Sequence, residues 1–129
     1  MHQILIVEDD PIMQKVLKQS LRQEGFEVGI IEFGGGVLQR AVEEKPDLII
    51  LDVNLPDMLG HDVLSGLKTD ARTRHIPVFM LTGESRSVDM RVSALDSGAE
   101  DYLFKPISPR VLVSRIHTLL QIKMRPSGS

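Results

Sequence analysis

Four short apolar runs constrain this chain most, because each ends abruptly in polar residues. Residues 4–7 (ILIV) run into Glu8-Asp9-Asp10, residues 48–51 (LIIL) into Asp52, residues 78–81 (VFML) into Thr82, and residues 102–104 (YLF) into Lys105-Pro106. Uninterrupted runs of this length read as strands buried on both faces. Segments of helical period separate them, which is the pattern of repeated βα units around a parallel sheet covered on both sides. All four run ends then fall along one carboxyl edge, where open α/β sheets bind ligands. Carboxylates, a hydroxyl and one ammonium gathered there describe an acidic centre that depends on a cation and can handle a phosphoryl group.

The first helix follows Asp10-Pro11, an N-cap and a proline at the first helical position, and carries Ile12, Val16, Leu17 and Leu21 before Gly25 stops it. Residues 26–33 read as a weaker second strand, broken by Gly29. Gly34-Gly35-Gly36 lacks the spacing of a dinucleotide fingerprint and reads as a flexible lead-in to a second helix. That helix begins with Val37, Leu38 and Ala41 and ends before Pro46. A third helix carries Val63, Leu64 and Leu67, a fourth Val88, Val92 and Leu95 before Gly98, and a fifth Val111, Leu112, Ile116, Leu119 and Leu120. Five strands and five helices are therefore expected within residues 1–124, with residues 125–129 a tail or linker of Pro/Gly/Ser character. The longer loops, residues 52–62 and 83–87, fall on the polar edge.

At 129 residues the chain fits one domain and leaves no room for a second catalytic one. A net charge of −3, with no basic stripe, gives no general attraction to nucleic acid. Zero cysteines exclude disulfides, thiolate zinc sites and cysteine nucleophiles, and fit a reducing cytoplasm. Met1-His2-Gln3 leads directly into the first strand, so no signal peptide is expected, and no apolar run approaches the length of a membrane span. A soluble, cytoplasmic domain is the expectation. His2, His61, His75 and His117 lack ligand spacing and read as surface or edge histidines. Met13, Met58, Met80, Met90 and Met124 read as packing or exposed residues rather than a cofactor box.

Asp10, placed before Pro11, is better explained as an N-cap than as a metal ligand. Glu8 and Asp9 differ: beside Asp52, as they would be if the first and third strands are neighbours, they repel one another unless a cation sits among them. Oxygen ligands of this kind suit magnesium, and a solvated acidic turn is the alternative. Asp52, held rigidly after four apolar residues, is the candidate reactive group, since a carboxylate can attack phosphorus to form an aspartyl phosphate. Thr82 offers a hydroxyl to a phosphoryl oxygen and Lys105 a point charge. Taken singly, Thr82 also reads as a turn residue and Lys105 as a solvated charge.

The stretches ILIVEDDP (4–11), LIILDVNLPDMLG (48–60), VFMLTG (78–83) and GAEDYLFKP (98–106) span the chain in order. Together they closely resemble the receiver domain of bacterial two-component response regulators, the module that accepts phosphate from a histidine kinase. The resemblance implies a flavodoxin-like (βα)5 three-layer sandwich with a parallel sheet of order 2-1-3-4-5. It implies Asp52 as phosphoacceptor, Glu8 and Asp9 as the acidic pair, and the Asn54 main-chain carbonyl as a further ligand to Mg2+. Thr82 and Lys105 match phosphate-contacting residues. Thr82 and Tyr102 match a switch pair that remodels the face of the fourth helix, fifth strand and fifth helix, although Tyr102 also reads simply as a half-buried strand residue. Lys105-Pro106 resembles the family's cis-prolyl junction. Glu8 is longer than the more usual Asp, so its ligation is expected through water. Asn54 and Glu84 stand where the family tunes hydrolysis of the acyl phosphate, and their combination resembles the chemotaxis regulator, implying short-lived signalling.

The implied partners are a sensor histidine kinase or phosphotransfer protein and a downstream target or tethered output domain, with no direct binding to nucleic acid or membrane. Val92, Leu95, Tyr102, Val111 and Arg115 form a candidate partner or homodimer face, unless Val92, Leu95 and Val111 simply bury against the sheet. Such a domain is no enzyme beyond its own phosphorylation and dephosphorylation. Two rival functions remain: a degenerate receiver that binds partners without phosphorylation, and a phosphatase of the haloacid dehalogenase-like kind. The latter needs a second Asp two residues after the nucleophile, where this chain has Asn54.

Overall fold

Strands and helices alternate through the described residues: β1 (Gln3–Val7), α1 (Pro11–Gln23), β2 (Glu27–Ile31), α2 (Val37–Glu44), β3 (Leu48–Asp52), α3 (Gly60–Thr69), β4 (Val78–Thr82), α4 (Val88–Asp96), β5 (Asp101–Phe104) and α5 (Pro109–Leu120). The computed structural model describes residues 2–83 and 88–121. Glu84, Met124 and the expected tail lie outside the described residues. Every strand pair is parallel, in the order β2-β1-β3-β4-β5. This is the flavodoxin-like (βα)5 sandwich that the resemblance implies. Val7 lies opposite Leu51, Asp52 opposite Leu81, and Thr82 opposite Phe104, so the carboxyl ends of four strands finish side by side.

Strand alternation divides the core into two layers. Leu5, Val7, Ile49, Leu51, Val78, Met80 and Tyr102 face Val37 and Ala41 of α2, Val63, Leu64 and Leu67 of α3, and Ala94 of α4. Ile4, Ile6, Leu48, Ile50, Phe79, Leu81 and Leu103 face Leu17 and Leu21 of α1 and Leu112, Val113 and Ile116 of α5. Burying each such side chain stabilises the fold by roughly 1.5–3 kcal/mol, so the central strands are the rigid platform on which the carboxyl edge is mounted.

Local chemistry sets the element ends. Asp10 caps α1, its carboxylate accepting from the Ile12 N–H at 2.9 Å, and Pro11 opens the helix. Gly25 follows that helix with φ of 89°, a conformation open to glycine and strained for other residues.

Several expectations need correction. On α1 the buried residues are Leu17 and Leu21, whereas Ile12 and Val16 are exposed, because the helix rests on the sheet along one narrow stripe. The second strand spans only Glu27–Ile31, and Gly29 pairs with Leu5 in unbroken register instead of interrupting it. Gly34–Gly36 is not a flexible lead-in but a 3-10 turn with Gly34 buried. On α4, Val88, Val92 and Leu95 face outward and Ala94 is the buried residue, and Val111 of α5 is exposed as well, so Val92, Leu95 and Val111 are surface residues, as a partner face requires, and not buried against the sheet. His117 is not a surface histidine: it is buried on α5 beside Phe26, ring centroids 5.9 Å apart.

Candidate functional site

The chain leaves the buried ends of β1, β3, β4 and β5 at one edge, and each exit carries a polar side chain. After β1 come Glu8, 2% exposed, and the exposed Asp9. The glutamate is seated from both sides, since the Gln14 amide of α1 donates to its main-chain carbonyl at 2.6 Å while its Oε2 accepts from the Asp10 N–H at 3.3 Å. Asp52 ends β3 at 6% exposure, with Oδ1 accepting from the Asn54 N–H at 3.2 Å. Thr82 ends β4 and is buried. Lys105 follows β5, its own N–H bonded to the Thr82 carbonyl at 2.6 Å, and the peptide to Pro106 is cis.

These exits converge. Ligand oxygens of Glu8, Asp9 and Asp52 lie within 4.8 Å of one another, and the Lys105 ammonium is 2.6 Å from Glu8 Oε1 and 3.3 Å from Asp52 Oδ2. Three carboxylates thus face one ammonium, an imbalance that a divalent cation with oxygen ligands would neutralise. Burial, followed by the adjacent Asp52, raises the Glu8 carboxyl above its ordinary value against the opposing pull of Lys105. Burial alone would lower the Lys105 ammonium, but hydrogen bonds and charge from Glu8 and Asp52 outweigh it and the net shift is upward.

The segment after Asp52 is held close by Gly60. Its N–H donates to the Val53 carbonyl at 2.6 Å, and any Cβ at position 60 would collide with the Asp52 carbonyl oxygen. Asn54 is exposed two residues beyond Asp52 and forms an antiparallel bridge with Leu59.

Tyr102 lies in the middle of β5, 4% exposed, within the layer toward α3 and α4 rather than on the outer face. Its ring is 6.1 Å from the His61 ring and 5.7 Å from that of Phe104. Of the residues read as a partner face, Val92, Leu95, Val111 and Arg115 are exposed, and Arg115 is paired with Asp101 at 2.6 Å.

Sequence reasoning singled out neither Gln14 nor Asp57, and read His61 only as a surface or edge histidine. Gln14 and His61 sit in helical stretches with no distinguishing pattern. Asp57 falls inside the LPDMLG stretch, but its partners are 22 and 23 residues away. Among the described residues, no helix is long and apolar enough to cross a membrane.

Comparison with known proteins agrees with this geometry. The family model of the response regulator receiver domain matches residues 4–117. The DNA-binding response regulator MtrA of Mycolicibacterium smegmatis is 42% identical over 118 residues, covering 92% of this chain and 50% of that protein. The chain therefore spans about half the length of the curated relatives it matches. Among solved structures, a response regulator receiver domain protein from Methanospirillum hungatei superposes with a TM-score of 0.86 at 34% identity, covering 94% of each chain. The receiver domain of the sensor histidine kinase PA1611 from Pseudomonas aeruginosa, solved with a magnesium ion coordinated in its active site cleft, gives 0.84 at 28% identity, over 93% of this chain and 98% of that one. With its sheet order, its acidic edge and these matches, the chain belongs to the response regulator receiver domain family of two-component signalling.

Proposed function

We propose that this receiver domain takes a phosphoryl group onto Asp52 from the phosphohistidine of a sensor histidine kinase or phosphotransfer protein, in a reaction that depends on Mg2+. The observation that carries the proposal is the convergence of Glu8, Asp9 and Asp52 around a space that Lys105 also borders. The Asn54 N–H and the Lys105 ammonium hold one Asp52 oxygen each, which fixes the plane of the carboxylate before it reacts. An Asp52 oxygen attacks phosphorus in line, the new O–P bond forms as the N–P bond breaks, and the departing imidazole takes up a proton.

Glu8, Asp9, Asp52 and the Asn54 main-chain carbonyl are the residues that would hold the metal, Glu8 through water. Bound there, Mg2+ neutralises charge on the transferring group. Thr82, buried at the end of the neighbouring strand, supplies its hydroxyl to a phosphoryl oxygen, and Lys105 turns from Glu8 toward the same group. The altered charge biases Thr82 and Tyr102, and through them the face of α4, β5 and α5, which binds a target, a tethered output domain or a second copy. The DNA-binding name and double length of MtrA support an output domain as one such recipient. The domain acts only on itself, catalysing its own phosphorylation and dephosphorylation in the cytoplasm.

Incubation with acetyl phosphate and Mg2+, followed by intact mass, tests this reading. Wild type gains one phosphoryl group and Asp52→Asn gains none. Absence of an adduct on the wild-type protein with acetyl phosphate and with a phosphorylated histidine donor would favour the phosphorylation-independent binding module instead.

A further inference from the structure

One contact outside the acidic centre joins the β3–α3 segment to a distant part of the chain. Asp57, at the exposed tip of that segment, uses both carboxylate oxygens on main-chain donors: Oδ1 accepts from the Gly34 N–H and Oδ2 from the Gly35 N–H, each at 2.8 Å. Those two amides open the 3-10 turn that leads into α2. An exposed aspartate in a loop usually bonds to its own turn. Asp57 instead bridges 22 and 23 residues.

Packing reinforces the bridge. A Cβ at Gly34 would meet Met58 Cγ at 2.5 Å and Val63 Cγ2 at 2.8 Å, so Met58 rests directly on the glycine backbone beside the carboxylate. At Gly35 a Cβ would stand 3.2 Å from Asp57 Oδ2. The three glycines that read as flexibility in the sequence therefore provide close approach. The two N–H groups also hold the Asp57 carboxyl below the usual range, so the clamp is ionised at neutral pH.

The base of the same segment is fixed by the Gly60 to Val53 hydrogen bond and the Asn54–Leu59 bridge. Asn54 thus lies on a short stretch anchored at both ends, at the base by β3 and α3 and at the tip by the α2 turn. We propose that Asp57 is a positioning residue that sets the place of the Asn54 main-chain carbonyl for the divalent cation by tying its loop to Gly34 and Gly35. The proposal rests on the function proposed above and makes the turn before α2 part of the support of the metal site.

The test compares wild type, Asp57→Ala and Asp57→Asn. Mg2+ dissociation constants come from nuclear magnetic resonance titration of the unphosphorylated protein, and Tm and amide exchange at Gly34, Gly35 and Asn54 are recorded alongside. Supporting groups behind metal ligands typically change affinity by about 10–100-fold. Because Asp57 is exposed, Asp57→Ala is expected to weaken Mg2+ by about tenfold and speed exchange at all three amides. Its phosphorylation by acetyl phosphate should return to near the wild-type rate at saturating Mg2+. Asp57→Asn, which keeps one oxygen acceptor, falls between, and it serves alone if the alanine variant does not fold. An unchanged Mg2+ dissociation constant with a lowered Tm overturns the proposal and leaves Asp57 a purely structural clamp. Failure of wild type itself to accept phosphate counts against the proposed function, while the Mg2+ comparison still decides the role of Asp57.

Discussion

The Lys105 ammonium is closer to Glu8 than to Asp52, 2.6 Å from Glu8 Oε1 against 3.3 Å from Asp52 Oδ2. Glu8 is therefore the nearer carboxylate partner of the resting lysine. Burial and the adjacent Asp52 nonetheless leave the Glu8 carboxyl with a raised affinity for its proton, against the pull of Lys105.

A consequence for stability follows from that raised value. The folded state holds the Glu8 proton more tightly than the unfolded state, so the Glu8 contribution is fully present below its ordinary 4.5 and is lost as pH rises through the raised folded value. Glu8→Gln removes this loss. Melting curves in chelator between pH 4 and 8 should show the variant gaining on wild type as pH increases. Phosphorylation of the same variant should fall. A variant less stable than wild type at neutral pH would show instead that the Glu8–Lys105 pair is a net stabiliser.

Relief of repulsion among the carboxylates predicts that Mg2+ stabilises the fold. At a free concentration about a hundred times its Kd, a ligand bound only to the native state adds about 2.7 kcal/mol. Asp9 is exposed and outside the Lys105 pairs, so Asp9→Asn should leave the metal-free Tm equal to or slightly above that of wild type, through relief of repulsion, while losing most of the Mg2+-dependent rise. Calorimetry with and without Mg2+ reads both quantities, and a full rise in Asp9→Asn removes that residue from the ligand set.

Two glycines of α3 predict opposite outcomes for one substitution. At Gly60 an added Cβ collides with the Asp52 carbonyl oxygen and stands 2.9 Å from the Val53 Cα, both parts of the backbone. Gly60→Ala should cost about 2–3 kcal/mol and slow phosphorylation by displacing Asp52. Gly66 has nothing within 4 Å of a built Cβ and lies inside the helix. Gly66→Ala should add about 0.5–1 kcal/mol. Urea unfolding of the pair checks the contrast.

The polar edge was legible in the sequence because each buried strand ends in a charged or hydroxyl residue, and parallel order alone then gathers those ends. Orientation of helices was less legible. Val88, Val92 and Leu95 have the same three- to four-residue spacing that a buried stripe shows, yet Ala94 is the residue that meets the core. Spacing defines a face and not the direction it points. The Asp57 clamp was invisible for another reason: it joins residues far apart in the chain, and a glycine triplet reads equally as freedom or as close approach. The burial of His117 was not legible either, because the Phe26 ring beside it comes from the distant turn between α1 and β2.

The outward face of α4 and α5 leads to the last prediction. Val92 and Leu95 are 48% and 38% exposed and Val111 is 47% exposed, so apolar side chains remain uncovered on both helices. If phosphorylation at Asp52 remodels this face for self-association, acetyl phosphate and Mg2+ should shift wild type toward dimer in sedimentation equilibrium. Val92→Lys places a hydrated ammonium on that surface while leaving the core untouched, and exposed substitutions of this kind usually change stability by no more than about 0.5 kcal/mol. The variant should therefore fold and accept phosphate as wild type does, with its dimer weakened by about tenfold, the size of a typical 1.4 kcal/mol interface loss. Equal association of the two phosphorylated proteins would place the dimer contact elsewhere, and a wild type that stays monomeric would assign the face to a partner of different sequence.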